Sequence, residues 1–138
     1  MDKKDLETQA TILINLYNSK RFEDTIQKGK ILIKKFPNQL IFYNATALAL
    51  SALGKNEEAL KILKSALNLR PNDIFVLNNL GLIKSNTNQN KQSREYLEKA
   101  ISINPNFMDA LLNLGNLDLK EGKTCLLYTS DAADDSQC

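Results

Sequence analysis

The sequence predicts an all-α fold, a superhelix of antiparallel helix hairpins with about seven helices in three and a half repeats. Three observations carry this. Pro37, Pro71 and Pro105 stand 34 residues apart, and each is followed by Asn (Asn38, Asn72, Asn106). Between them apolar residues recur at helical spacing, and glycine falls where a hairpin must turn. Finally, the same 34-residue step relates Leu63 to Leu97, Ala66 to Ala100, Leu77 to Leu111, Leu80 to Leu114 and Gly81 to Gly115.

Each unit reads as two helices. The first unit, about residues 6–39, is degenerate: Gln9, Thr25 and Gly29 occupy positions that later hold Tyr43, Ala59 and Leu63. Atypical end units are expected, because an outer face has no neighbour. In the second unit, 40–73, helices are expected over 40–53 and 56–69. Gly54 ends the first because it takes a left-handed conformation at little cost. Pro71 ends the second, since proline cannot extend the hydrogen-bond ladder. The Asn after each proline is expected to cap the helix that follows. The third unit, 74–107, repeats the pattern. A half unit, 108–123, has only a first helix, about 107–120, before Gly122. Small residues mark close helix approaches: Ala47, Gly81 and Gly115 on first helices, Ala59 and Ala66 on second helices. Leu111, Leu114 and Leu117 of the half unit lack a second helix. This end is expected to fray, or to be covered by Leu126, Leu127 and Tyr128.

The pattern resembles the tetratricopeptide repeat family, whose 34-residue unit carries an aromatic, Leu-Gly, Tyr, Ala, an aromatic and Pro. The third unit matches at Leu77, Leu80-Gly81, Leu97, Ala100 and Pro105. The second matches at Tyr43, Leu50, Gly54, Ala59, Leu63, Ala66 and Pro71. The turn of unit one, Tyr17 to Asp24, also looks like the family. The resemblance spans residues 6–123. Pentatricopeptide RNA-binding repeats have a similar helix pair, but the step length and the Ala-and-Pro pattern favour the tetratricopeptide reading.

The last residues, 124–138, read as a non-native tail. Cys125 to Asp135 resembles the in-frame translation of a transposon-based sequencing adapter, so the chain is expected to be the N-terminal piece of a longer protein. Both cysteines, Cys125 and Cys138, fall in that tail, so no metal site and no disulfide is expected.

Composition narrows the function classes. The chain has 138 residues, 43% hydrophobic and 25% charged, with a net charge of +2, as expected for a globular protein. No apolar run approaches the roughly 18 residues of a membrane span, and the charged N-terminus lacks a signal peptide's apolar stretch, so a cytoplasmic setting is the default. The absence of His removes the commonest general base and metal ligand. Glu23-Asp24 and Glu57-Glu58 sit where second helices begin and complement the helix dipole. Gly81 and Gly115 lie mid-helix and form no phosphate loop; Gly122-Lys123-Thr124 follows no strand. Lys28, Lys30, Lys34 and Lys35 alternate with packing residues and read as a solvated outer face, which argues against nucleic acid. No catalytic residue, cofactor or metal is expected.

What remains is binding. The resemblance implies that first helices line a concave groove holding an extended peptide or a partner segment of another protein. The family's groove positions fall on Ala10, Ile14 and Tyr17; on Ile41, Asn44 and Leu48; on Phe75, Asn78, Asn79 and Leu82; and on Asp109, Leu112, Asn113 and Asn116. Asn amides both donate and accept, so they suit a peptide backbone. Asn79 and Asn113 are expected to stack as a ladder. These positions lack the Lys and Arg residues of the subclass that clamps a chaperone tail. The stretch Asn106 to Asn116 also looks like the repeats that precede the catalytic domain of O-linked N-acetylglucosamine transferases. A substrate-recruiting arm of a glycosyltransferase or sulfotransferase is therefore the alternative, and an RNA-binding helical repeat a third reading.

Overall fold

The computed structural model describes residues 3–122. Among them run seven helices: α1 (Lys3–Asn18), α2 (Phe22–Lys35), α3 (Leu40–Ala52), α4 (Asn56–Leu69), α5 (Ile74–Asn86), α6 (Asn90–Ile103) and α7 (Met108–Lys120). Consecutive helices pack as hairpins, and the first helices α1, α3, α5 and α7 also touch one another in series. The tail expected over 124–138, and any cover by Leu126, Leu127 and Tyr128, lie outside the described residues.

The hairpin turns share one conformation although their residues differ. Gly54 and Gly122 have φ of 81° and 79°, and one period away Lys20 and Asn88 both have φ of 63°. The backbone N–H that follows reaches back across the helix end: Arg21 N to Leu16 O, Lys55 N to Leu50 O and Gln89 N to Lys84 O, at 2.8–3.0 Å. This bond satisfies a carbonyl that the ending helix leaves free. Glycine marks the position in sequence only where the chain uses it.

The prolines act as expected, but the asparagines after them do not. Gln39 N bonds to Phe36 O, Asp73 N to Arg70 O and Phe107 N to Asn104 O, so each Pro-Asn pair fills the centre of a β-turn. Asn38, Asn72 and Asn106 therefore sit one residue too early to cap. The N-cap residues are Gln39, Asp73 and Phe107, and of these Asp73 alone accepts a side-chain cap bond, from Val76 N at 3.0 Å.

The core runs along the stack. Leu50, Ala59, Leu63, Ala66, Val76, Leu80 and Ile83 are buried in one cluster; Leu77, Leu97, Ala100, Ala110 and Leu117 in the next; Leu13, Leu32 and Phe42 in a third. Fully burying each such side chain is worth roughly 1.5–3 kcal/mol. Leu117 thus packs against unit three, unlike the expectation that it lacks a partner; Leu111 remains exposed. Small residues explain the close approaches. A Cβ placed on Gly81 would lie 2.6 Å from Leu97 Cγ, and the buried Ser93 hydroxyl donates to the Gly81 carbonyl at 2.6 Å. In unit one, Gly29 replaces the leucine of later units and Thr46 fills the space it vacates, 1.8 Å from such a Cβ. The apparent degeneracy of Gly29 is a matched exchange with its neighbour.

Polar bonds tie α7 to unit three. Arg94 on α6 donates to Asp118 and Glu121 at 2.5 and 2.6 Å, and these bonds hold its guanidinium above its ordinary pKa. Lys120 Nζ donates to the Ser85 carbonyl. Between second helices, Lys30 of α2 pairs with Glu58 of α4 at 2.5 Å, which lowers the Glu58 pKa. Lys34 and Lys35 are exposed, as a solvated face requires.

Candidate functional site

First helices follow one another along the superhelix, so residues at one helical position recur as a band along its inner face. In the N-terminal half this band encloses a concave groove of about 640 Å³. Ile14 and Tyr17 of α1, Ile41, Asn44 and Leu48 of α3, Phe75, Asn78 and Asn79 of α5, and Asp109 of α7 all line it. Phe75 is 56% exposed, a large apolar ring presented to solvent. Its edge is held by Phe107, with ring centroids 5.3 Å apart in a T-shaped arrangement. That contact restrains the Phe75 ring, which lowers the entropy that binding would cost.

The remaining predicted residues lie elsewhere. Leu82, one period beyond Leu48, is half-buried on α5 and does not line the groove. Leu112 and Asn116 are exposed on α7. Asn113 reaches the groove only indirectly, through Asn78. Ala10 lies next to Ile14 in a shallower depression with Thr11, Asn15 and Ile41.

The asparagines pair differently from the expected ladder. Asn79 Nδ2 donates to Asn44 Oδ1 at 3.0 Å, and Asn113 Nδ2 donates to Asn78 Oδ1 at 2.8 Å. The bonds join adjacent first helices diagonally, and one rung is the other shifted by a period. Asn79 and Asn113 are thus equivalent members of two rungs and not partners of each other. Each rung uses one carboxamide oxygen and one N–H. The Asn44 amide keeps its NH2 group for other acceptors, whereas Asn78 and Asn79 are buried at 7% and 9% exposure.

Several lining residues were missed by the sequence. Asn18, Gln39, Leu40, Ala45, Arg70 and Asp73 complete the wall. Arg70 supplies a cation where the predicted set had none, although its guanidinium donates to the Asn38 carbonyl at 3.0 Å. Gln39, Arg70 and Asp73 belong to the Pro-Asn turns. Their place directly beside the repeated prolines was the available signal, because those turns bring the chain back to the inner edge. Among the described residues no group of His, Cys, Asp or Glu is arranged to hold a metal ion, and no helix is long and apolar enough to cross a membrane.

Residues 13–121 match the profile of the Psidin N-terminal TPR repeats region. The chain belongs to this tetratricopeptide repeat family. No curated protein sequence matches it. Solved structures similar to this tetratricopeptide array include the Sgt2 TPR domain from Aspergillus fumigatus, at 20% identity and TM-score 0.76 over 94% of this chain and 86% of that one. The Arabidopsis OM64 TPR domain is 15% identical with a TM-score of 0.75, covering 83% and 94%. The first TPR of Spaghetti (RPAP3), bound to the HSP90 peptide SRMEEVD, is 13% identical with a TM-score of 0.76, covering 88% and 97%. At these identities the likeness shows the shared fold.

Proposed function

We propose that this tetratricopeptide array is a protein-interaction scaffold whose concave groove holds an extended peptide or partner segment. One observation carries the reading: an exposed, pre-positioned Phe75 stands in a groove with Tyr17, Ile41 and Leu48 and with the free amide N–H groups of Asn44. Apolar side chains give a ligand its burial, and a fixed amide gives its backbone a partner. The Spaghetti repeat was solved with a peptide, which supports the class of ligand. Arg70, Asp73 and Asp109 give this groove both signs of charge, so an apolar anchor residue, more than an acidic tail, sets its preference.

Peptide-display selection against the full chain tests this. Enriched peptides should share an apolar anchor, and their affinity should fall about tenfold or more when Phe75→Ala and Leu48→Asp are combined. Failure to enrich any peptide, or binding indifferent to both substitutions, would refute the groove.

A further inference from the structure

The groove repeats itself with the period of the superhelix, and that period constrains what can fill it. Asn44 and Asn78 hold the same place in successive first helices. Each spends its Oδ1 on the amide of the next first helix, Asn79 at 3.0 Å and Asn113 at 2.8 Å. The rung holds the carboxamide in place and leaves its NH2 group without an acceptor among the described residues. Asn78 is only 7% exposed, so an unanswered donor there costs free energy that a ligand carbonyl would recover. A second row lies one helical turn away. Ile41 and Phe75, also one period apart, are exposed and line the groove. One step further the same row reaches Asp109, an exposed carboxylate with no hydrogen-bond or ion-pair partner among the described residues.

We propose that the occupant is a segment in the polyproline II conformation, with two apolar residues three positions apart and a basic residue three positions beyond them. The proposal rests on the scaffold reading of the groove. Neighbouring first helices pack directly on one another, which sets their axes roughly 8–10 Å apart. A ligand lying across them must present equivalent groups at that step. Polyproline II has three residues per turn and rises about 3.1 Å per residue, so every third position faces the same way about 9 Å on. A β-strand repeats a face at about 6.6 Å and then at about 13 Å, short of the step and past it. An α-helix suits these donors poorly, because its mid-helix carbonyls are already bonded internally. Polyproline II leaves its carbonyls free, so it can give one to Asn44 and the next in register to Asn78. Two apolar residues at the same step meet Ile41 and Phe75, and aromatic rings such as Phe75 and Tyr17 suit proline. The third step brings a cation to Asp109.

The probes are capped synthetic peptides titrated into the full chain and followed by NMR. Ac-PLPPLPPKP-NH2 and its reversed order, Ac-PKPPLPPLP-NH2, cover both chain directions. The tighter of the two should shift the side-chain NH2 signals of Asn44 and Asn78. Moving its leucines to a spacing of two, replacing its prolines by glycine, or replacing its lysine by glutamate should each weaken binding about tenfold. Asp109→Lys should invert the preference for lysine over glutamate while the thermal melt stays at the parent's, because Asp109 is exposed. Equal binding by the respaced or glycine peptides, or a lysine preference unchanged in Asp109→Lys, would overturn the proposal and leave the scaffold reading standing. So would no binding of either peptide at millimolar concentration by a chain that still takes display-selected peptides. A chain that takes neither kind would overturn both.

Discussion

Two glycines one period apart have opposite costs of substitution. Gly81 faces Leu97 at a distance no Cβ tolerates, whereas Gly115 faces open space. Gly81→Leu should therefore lower stability by roughly 1–3 kcal/mol or more through overpacking. Gly115→Ala should raise it by about 0.5–1 kcal/mol through helix propensity. Urea denaturation of the two variants checks both signs. The left-handed positions make a parallel case. Lys20 holds φ of 63° where the second unit uses glycine. Lys20→Gly should stabilise by about 1 kcal/mol, and a melt unchanged or lowered would contradict the assigned turn. The amide rungs change what an alanine substitution means. Asn79→Ala with Asn113→Ala leaves the Oδ1 atoms of Asn44 and Asn78 without these donors. Stability should fall by roughly 1–3 kcal/mol per rung, so a loss of ligand affinity is interpretable only beside a melt.

Helices in this chain are held by different forces at the two ends of the stack. α7 packs one face on unit three and is bound at its C-terminal turn by Arg94, through Asp118 and Glu121. Arg94→Met should cost on the order of 1–3 kcal/mol, with the loss confined to α7. Hydrogen exchange resolved by residue would show faster exchange in α7 and unchanged protection in α3 and α4; a uniform loss would contradict it. The Lys30–Glu58 pair links second helices α2 and α4 in open solvent. Its hydrogen bond lowers the Glu58 pKa, so its contribution is present above the ordinary carboxylate range and is lost as pH falls through the depressed value. Lys30→Gln should return the Glu58 titration to the usual range, as carboxylate NMR shifts would report; salt should do the same.

As a whole the array is a one-dimensional stack, in which each helix meets its sequence neighbours and the first helix of the next unit. Among the described helices, stability should then be highest in α3 to α6, each of which packs on described neighbours on both sides. Native-state hydrogen exchange would order the helices in this way, and a single exchange class for all seven would argue against it. The fold was legible because its periodicity is written in several independent residues at once. The prolines, the Ala66–Ala100 and Leu63–Leu97 pairs and the glycines give the same frame. The groove was legible only in part. Ile14, Tyr17, Asn44, Leu48 and Phe75 stand at positions the family resemblance implies, whereas Arg70 and Asp73 reach the wall through the turns beside the repeated prolines, which the groove positions of the helices do not include.

The sequence by itself determined the number of helices and their pairing, because both depend on spacing along a helix of fixed pitch; the inner face came from the resemblance to the family. Tertiary structure decided what the repeated positions do when their residues change. It gave Lys20 and Asn88 the turn that Gly54 marks, exchanged leucine for the Gly29–Thr46 fit, and moved the cap from Asn72 to Asp73. It also converted an expected Asn79–Asn113 ladder into diagonal rungs to Asn44 and Asn78. These outcomes depend on the distance and rotation between neighbouring helices, which a repeat length of 34 implies but does not specify.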